Sequence, residues 1–477
     1  MTGQDLKNSI LQLAIQGKLV PQDANDEPAS VLLERIKAEK QKLINEKKIK
    51  KEKPLPEITD EEKPFEIPES WEWCRLGDLF LHASGKQQSS SNKDAGTPQK
   101  FITTSNLYWG RFELENVKTM NFTDEEIARC SATKGDLLVC EGGAGYGRSA
   151  IWYYDYDICL QNHVHRLRPC VDGTCEYVYH FIYLLKETNR LLSVGTAMPG
   201  LSANRLKGLV LPLPPLSEQH RIVAKIEELM PLVEEYDKAQ KELDALNAKL
   251  PEALKKSILQ EAIQGKLVPQ DPNDEPASVL LQRIRKEKEQ FVKDGKLKKK
   301  DLVTTPITDE EKPFEIPETW EWCRLGEIFS MQAGKNIKAD ELNSEPNCSH
   351  QYACFGGNGI RGYIGKSNQS GKHCIIGRQG ALCGNVNIAN GIFYATEHAV
   401  VVDQYCNTDV DWAYYFLTAC NLNQYATATA QPGLAVSNII ETLIPLPPLA
   451  EQHRIVSKIE DLFAQIEPLA KALSTPM

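Results

Sequence analysis

The chain has 477 residues, 25% of them charged and 41% hydrophobic, which is ordinary for a globular protein of roughly three domains and excludes collagen, global disorder and a small disulfide scaffold. It contains no apolar run long enough to span a membrane and no secretory start, so we expect a cytoplasmic protein. Thirteen cysteines without a CxxC pair favour a reducing compartment, and a net charge of −10 argues against a protein that holds DNA by charge alone.

Three sequence blocks occur twice and enclose two unlike segments. We call the blocks the frame; their paired copies are residues 9–40 and 257–288, 58–80 and 307–329, and 211–229 and 444–462. The enclosed segments are insert 1, residues 81–210, and insert 2, residues 330–443, which share almost no sequence that can be aligned by eye. A twofold duplication of this kind is not a solenoid. It suggests that the frame meets one kind of partner twice, whereas the inserts recognise two different things.

In chain order, the first frame block is helical and runs into a charged tract, residues 37–53, that recurs as residues 283–300. We expect solvated faces or flexible arms there, with DNA or partner contact as the alternative. Each insert then shows short β-branched and aromatic runs followed by a helix-like stretch, at residues 101–104, 137–139 and 177–192 in insert 1 and at residues 374–376, 399–402 and 411–425 in insert 2. This order predicts an α+β fold with two β-rich globular domains.

The last frame block of each copy begins a helix with a 4-3 apolar spacing, which is typical of a coiled coil. The two seams would pack on each other as antiparallel helices, and their first positions are the candidate partner-binding residues Ile222, Ile226, Leu229, Ile455, Ile459 and Leu462. A helix over residues 217–264 would span about 70 Å. We expect Pro231, Pro251 and Pro468 to kink or break these helices. The alternative is an exposed helical hairpin that only links two domains.

Catalytic and metal-binding motifs are missing from the sequence. The histidine pairs His163/His165 and His220/His453 are interpreted as surface or core residues, since none has metal-ligand spacing. The glycine pattern at residues 357–362 matches a dinucleotide fingerprint, but no amphipathic helix follows it, and no G-x-S-x-G elbow is present. We therefore predict a large recognition protein that is not an enzyme and holds no metal or cofactor of its own.

Basic and polar residues on glycine-rich loops are the candidates for DNA contact. In insert 2 the basic residues all precede residue 380, which predicts a local basic face in a chain that is acidic overall. Glycine allows close backbone approach, and Arg, Asn and Gln can pair with base edges in the major groove. Tight β-turns with incidental charges are the alternative for any single residue. The candidates are Lys86, Gln87, Asn92, Lys93, Tyr108, Arg111, Gly145, Arg148 and Arg205 in insert 1, and Lys335, Lys338, Asn358, Arg361, Lys366, Lys372, Arg378 and Gln379 in insert 2.

Several of these motifs resemble those of the specificity (S) subunits of type I restriction–modification systems. The helix-entry motif LPPLSEQHRIV at residues 213–223 and its copy LPPLAEQHRIV at residues 446–456 carry the resemblance, with PESWEWCRLG at residues 68–77 and PETWEWCRLG at residues 317–326. The inserts resemble that family's target-recognition domains, notably GDLLV at residue 135, NHVHRLR at residue 162, GRQG at residue 377 and TEHAV at residue 396. The likeness covers nearly the whole chain and implies five segments: an N-terminal helical conserved region (1–66), target-recognition domain 1 (67–216), a central helical spacer (217–306), target-recognition domain 2 (307–449) and a C-terminal helix (450–477).

The resemblance implies that each target-recognition domain reads one half of a split, asymmetric site in double-stranded DNA. It also implies that the helical frame docks two modification (methyltransferase) subunits and that restriction (translocase–nuclease) subunits join for cleavage. S-adenosylmethionine, ATP and Mg²⁺ would then belong to these partners. Two other hypotheses stay open from the residues alone, a scaffold whose inserts bind protein or glycan and an enzyme with an unrecognised site.

Overall fold

The computed structural model describes residues 1–89, 94–143, 145–191, 200–380, 382–426 and 433–474. The chain forms two compact units, unit 1 from Met1 to Leu243 and unit 2 from Asp244 to Met477. Each unit contains one copy of the frame helices and one complete insert.

Unit 1 begins with two helices, continues through the strands of insert 1, and ends in a long helix that crosses into unit 2. Its elements are α1 Gly3–Ile15, α2 Ala29–Asn45, β1 Glu72–Arg75, α3 Leu76–Leu79, β2 Phe80–Ser84, β3 Thr97–Ile102, β4 Leu107–Tyr108, β5 Arg111–Phe112, β6 Lys118–Phe122, α4 Asp124–Cys130, β7 Ser131–Ala132, β8 Leu137–Cys140, β9 Ser149–Ile151, β10 Ile158–Leu160, β11 Val164–Pro169, α5 Cys175–Glu187, α6 Ala203–Gly208, β12 Val210–Leu213 and α7 Leu216–Ile263.

Unit 2 repeats this order with fewer small elements. Its elements after α7 are α8 Ala277–Lys293, β13 Glu321–Arg324, α9 Leu325–Ile328, β14 Phe329–Ala333, β15 Tyr352–Gly356, β16 Gly359–Ile364, β17 Gln369–Ser370, β18 His373–Gly377, β19 Val386–Ala389, β20 Ile392–Ala395, β21 Ala399–Gln404, α10 Val410–Ala419, α11 Val436–Ile440, β22 Leu443–Leu446 and α12 Leu449–Ser474. The α+β fold with two sheet-rich domains and a long helix is thus confirmed.

The two inserts have the same sheet topology although their sequences do not align by eye. In unit 1 one four-stranded sheet has the order β2-β11-β8-β9 and the other β6-β3-β10-β7, and in unit 2 the orders are β14-β21-β18-β19 and β16-β15-β20-β17. In both units a parallel pair, β3 with β10 or β15 with β20, lies inside the second sheet. The central strands β8, β11, β18 and β21 are buried at most of their positions. The sequences can diverge while the fold stays because the pattern of apolar positions, rather than particular side chains, fixes a strand's register.

Matched contacts join the three blocks of each frame copy to one another. The indole Nε1 of Trp71 donates to Glu218 at 2.9 Å, and Trp320 donates to Glu451 at the same distance. Both carboxylates are fully buried, and each also accepts a hydrogen bond from a glutamine side chain of the frame, Gln22 or Gln270. These contacts join the W-E-W motif that precedes each insert to the S/A-E-Q-H-R motif that follows it.

Pro231 and Pro251 do not interrupt α7, which is helical from Leu216 to Ile263, and Pro468 lies inside α12. The expectation that these prolines break the helices is therefore wrong. A proline removes one backbone donor, and the long runs of Glu, Lys, Ala and Leu around Pro251 are good helix formers that sustain the remaining hydrogen bonds.

Candidate nucleic-acid interface

A glycine turn follows the same central strand in both inserts and marks one end of each sheet. After β8, Gly143 and Gly147 have positive φ angles of 77° and 84°. After β18, Gly380 and Gly384 have φ angles of 89° and 86°. Only glycine adopts this backbone region at no steric cost. The turns after β8 and β18 therefore have glycines with positive φ at the same spacing, at residues 143 and 147 and at residues 380 and 384.

Each glycine turn is tied to the segment that leads back to the frame. In insert 1, Gly142 forms a β-bridge with Gly200, and the N–H of Leu201 donates to Glu141 O at 2.6 Å. In insert 2, Gln379 bridges Gly433, and the N–H of Leu434 donates to Arg378 O at 2.8 Å. The two bridged loops at the end of each sheet form a surface that we call the loop face. Its described residues are 142, 143 and 145–148 with 200–201 in insert 1, and 379, 380 and 382–385 with 433–434 in insert 2.

Four candidates of insert 1 come together beside its loop face. The guanidinium carbons of Arg111 and Arg148 lie 5.3 and 4.9 Å from the centre of the Tyr108 ring, which is within cation–π range. Arg148 donates to Thr104 O at 3.0 Å, and a Cβ on Gly145 would lie 2.3 Å from Arg148 Nε. Arg148 therefore positions the loop, whereas the Arg111 side chain is 67% exposed and points to the outside.

Lys86 is buried, contrary to the expectation that it lies on an exposed loop. Its side chain is 1% exposed, and its Nζ donates at 2.7 Å both to Glu126 and to Asn121 O. The pKa of Glu126 is lowered, chiefly by this hydrogen bond. Lys86 holds α4 onto the sheet, and we do not keep it among the proposed DNA contacts. Sequence reasoning missed this because the described segment between β16 and β17 of insert 2 has no helix equivalent to α4, and Lys335 at the matching position is exposed.

The remaining candidates of insert 1 are less informative. Gln87 and Arg205 are exposed. Asn92 and Lys93 lie outside the described residues.

The candidates of insert 2 divide between the two ends of the sheet. Asn358, in the turn between β15 and β16, accepts a hydrogen bond from Asn385 at 3.2 Å, and the exposed Gln379 lies beside the same turn. Arg361 is exposed close to this turn. Arg378 directs its guanidinium inward to two backbone carbonyls, those of Leu434 and Glu397, both at 3.4 Å. Arg378 is therefore a positioning residue, like Arg148.

Three lysines of insert 2 do not belong to one basic face. Lys372 precedes β18 and Arg378 follows it, so about 17 Å of strand separates them. Lys372 pairs with Asp411 on α10 at 2.5 Å, and Lys366 pairs with Glu341 at 2.6 Å. Lys338 is exposed in the segment after β14. The expectation of a single basic face is therefore wrong, because basic residues that are close in sequence lie at opposite ends of their strands.

The histidines His163 and His398 occupy the same position beside the two loop faces, which sequence reasoning did not recognise. The N–H of Glu141 donates to His163 O and that of Arg378 to His398 O, both at 2.9 Å. Each imidazole contacts a carboxylate at 3.2 Å, from Glu141 or from Glu397. The sequence feature that could have shown this equivalence is an Asn-His or Glu-His pair directly before β11 and before β21.

A buried histidine pair supports the loop face of insert 1. His165 is fully buried on β11, and its Nε2 lies 2.8 Å from Leu201 O, while its Nδ1 lies 3.0 Å from Nε2 of His82. Burial is the main cause that lowers the pKa of His82 to about 4 and also lowers that of His165. Both rings are therefore neutral near pH 7; His165 holds the 200–201 segment by its hydrogen bond to Leu201 O, and His82 supports His165.

The predicted partner-binding residues lie largely inside their own units. Ile222 and Ile226 belong to the core of unit 1, and Ile455 and Ile459 to that of unit 2, all at most 1% exposed. Leu229 and Leu462 are half-buried. The first three turns of each helix therefore pack into the core of their own unit, and the interpretation of these four isoleucines as partner contacts is wrong. Exposed leucines occur farther along α7, at Leu232, Leu243, Leu246 and Leu250.

Among the described residues, no group of three or more His, Cys, Asp or Glu side chains is arranged to hold a metal ion. None of the helices in that part of the chain is both long and apolar enough to cross a membrane.

Comparison with known proteins assigns the family. The family model for the type I restriction modification DNA specificity domain matches residues 68–243 and 317–473, once in each unit. The chain is 32% identical to the EcoAI specificity subunit of Escherichia coli over 98% of this chain and 90% of that protein, and 31% identical to the EcoEI specificity subunit of E. coli with the same coverage. A crystal structure of an HsdS subunit from Thermoanaerobacter tengcongensis matches with a TM-score of 0.49 and 20% identity, over 86% of this chain and 93% of that one. The chain thus belongs to the family of type I restriction–modification specificity subunits, which recognise DNA sequence.

Proposed function

We propose that each insert reads one half of a bipartite, asymmetric DNA target. The observation that carries this proposal is that two inserts of one topology, held by near-identical frames, present different side chains at equivalent loop faces. Arg111 and Tyr108 stand beside the turn of insert 1, whereas Asn358, Arg361 and Gln379 stand beside that of insert 2. Arg, Asn and Gln distinguish base edges in the major groove, so different side chains at equivalent places give different half-sites.

The proposal also assigns roles to the helical frame and to the partner subunits. In our proposal the helical frame docks two methyltransferase subunits and sets the gap between the half-sites at about one turn of duplex, about 10 bp. The chain itself performs no chemistry; S-adenosylmethionine, ATP and Mg²⁺ belong to the methyltransferase and restriction subunits. Methylation of a base requires that the base be flipped out of the duplex. The inserts would hold the flanking DNA in place while the base is flipped out.

An insert exchange within the chain tests the proposal. Residues 81–210 are replaced by residues 330–443, the variant is co-expressed with its modification subunits, and methylated sites are mapped by sequencing. We expect one half of the target to be unchanged and the other to be replaced by a second copy of the insert 2 half-site. The reciprocal exchange is the matched control and should duplicate the insert 1 half-site. Changes in both halves, or in neither, would refute the proposal.

A further inference from the structure

We propose that two lysine-rich arms of the frame, residues 47–53 and 293–300, bind phosphates of the DNA that flanks the target. This inference rests on the proposed DNA-reading function. It assigns a second contact surface, outside the inserts, that reads no sequence. The arms lie between the frame helices α2 and α8 and the strands that begin each insert.

The two arms carry the same net charge although their sequences differ. Each contains five lysines and one acidic residue, so both carry a surplus of four positive charges in a chain of net charge −10. The frame blocks on either side are nearly identical between the two copies, whereas the arms differ in all but the pattern KIKK at residues 48–51 and KLKK at residues 296–299. The other lysines, such as Lys53 and Lys293, stand at unmatched positions. Preserved charge with altered positions is what a uniform polyanion requires, whereas a protein partner requires matched shapes.

Both arms have a defined local structure at the end of the preceding helix. Lys47 and Gly295 have positive φ angles of 58° and 71° and turn the chain after α2 and α8. The next N–H groups fold back onto the helix, since Lys48 donates to Leu43 O at 2.9 Å and Lys296 to Phe291 O at 2.8 Å. Ile49 and Leu297 are half-buried, while the matched lysines around them are exposed. The turn therefore presents the three lysines outward around one apolar anchor.

A buried arginine holds the chain a few residues beyond the end of each arm. Arg75 is 6% exposed and donates to Pro56 O at 2.7 Å and to Glu57 O at 3.1 Å, and it pairs with Glu62 at 2.8 Å. Arg324 makes the same set of contacts with Thr305 O, Pro306 O and Glu311. With the chain held on both sides, the arms lose less conformational entropy on binding than free tails would.

The arms run beside the edge strands that lead to the loop faces. In unit 2, Lys296 and Lys298 line a cavity of about 700 Å³ together with Met331 of the edge strand β14. Lys335 follows four residues after Met331, roughly 13 Å along the strand direction. In unit 1, Glu52 of the arm pairs with Lys207 of α6 at 3.0 Å, close to the edge strand β2. Each arm is therefore placed to meet the backbone of a duplex that lies on the loop face.

The test measures the salt dependence of DNA binding by the complete complex of this chain with its modification subunits. Two triple variants replace the matched lysines, Lys48→Gln with Lys50→Gln and Lys51→Gln, and Lys296→Gln with Lys298→Gln and Lys299→Gln. The probe is a duplex that lacks the methylated sequence. We expect each variant to lower the slope of log affinity against log salt by about 1–3, since each lost phosphate contact contributes roughly 0.9. The methylated sequence should stay the same, because phosphate contacts carry no sequence information.

The control removes three exposed lysines elsewhere, by Lys63→Gln, Lys134→Gln and Lys312→Gln. Each forms an ion pair with an aspartate, so the net charge changes equally while the arms stay intact. An unchanged slope in the arm variants, or an equal fall in the control, overturns the proposal. So does loss of the modification subunits from the purified arm variants, which would identify a protein contact, or a changed target sequence. The insert exchange can succeed while this test fails, so the two proposals are separable.

Discussion

Replacing Trp71 with phenylalanine should weaken unit 1 through one identified contact. The substitution removes the indole N–H that donates to the buried Glu218 carboxylate at 2.9 Å. Hydrogen bonds to charged groups contribute about 1.5–3 kcal/mol, and the smaller ring leaves a cavity that costs roughly 1 kcal/mol more. We therefore expect the free energy of unfolding of unit 1 to fall by about 3 kcal/mol.

Hydrogen exchange read out by mass spectrometry can assign this change to one unit. A loss of about 3 kcal/mol accelerates, on the order of 100-fold, those amides that exchange through opening of the whole unit. Peptides from residues 1–243 should respond to Trp71→Phe, and peptides from residues 244–477 to Trp320→Phe, whose indole donates to Glu451 at 2.9 Å. Separate responses are expected because the contacts of the two indoles share no residue.

Trp73→Phe is the matched control within the same W-E-W motif. The Trp73 ring is half-buried and packs on Phe65 with a centroid distance of 5.2 Å. Its replacement should cost less than about 1 kcal/mol. If Trp71→Phe accelerates exchange no more than Trp73→Phe does, then the indole–carboxylate contact does not stabilise the frame and the reasoning is wrong.

Three further predictions concern the backbone, a thiol and a buried acid. Gly85→Ala and Gly334→Ala should each lower the melting temperature of their insert, because the added Cβ would lie 2.2 and 2.1 Å from a backbone carbonyl oxygen. Gly208→Ala is the control, since a Cβ there would meet open space. Melting temperatures equal to that of the control would contradict this prediction. Cys348, which is exposed, should react with a thiol reagent well before the buried cysteines, and Cys348→Ser should abolish that fast phase; a fast phase that persists would place it elsewhere. Burial raises the pKa of Glu218. The stability that Glu218 contributes is therefore fully present below the ordinary glutamate pKa of about 4.3 and is lost as the pH rises through the raised pKa. Glu218→Gln should flatten this part of the stability–pH profile, and an unchanged profile would refute the assignment.

The duplicated blocks and the apolar periodicity were enough to predict an α+β fold with two β-rich domains, because both are properties of the sequence itself. The family was predicted from the resemblance of the duplicated motifs to those of known specificity subunits. The apolar spacing from Ile222 predicted a helix, although with a kink or break at Pro231 and Pro251, whereas the structure has one continuous helix from Leu216 to Ile263. That Ile222 and Ile226 lie in the core of their own unit could not be predicted, since the spacing of apolar residues does not say which surface they cover.

The tertiary structure alone decided which polar residues share a surface. Lys86 looked like a loop cation until α4 placed Glu126 2.7 Å away, and Lys372 and Arg378, close in sequence, stand at opposite ends of β18. His163 and His398 are equivalent only through strand pairing. Local sequence specifies helices, strands and turns because those depend on neighbouring residues, whereas contact between side chains depends on which strands pair, and that is fixed by packing across the whole insert.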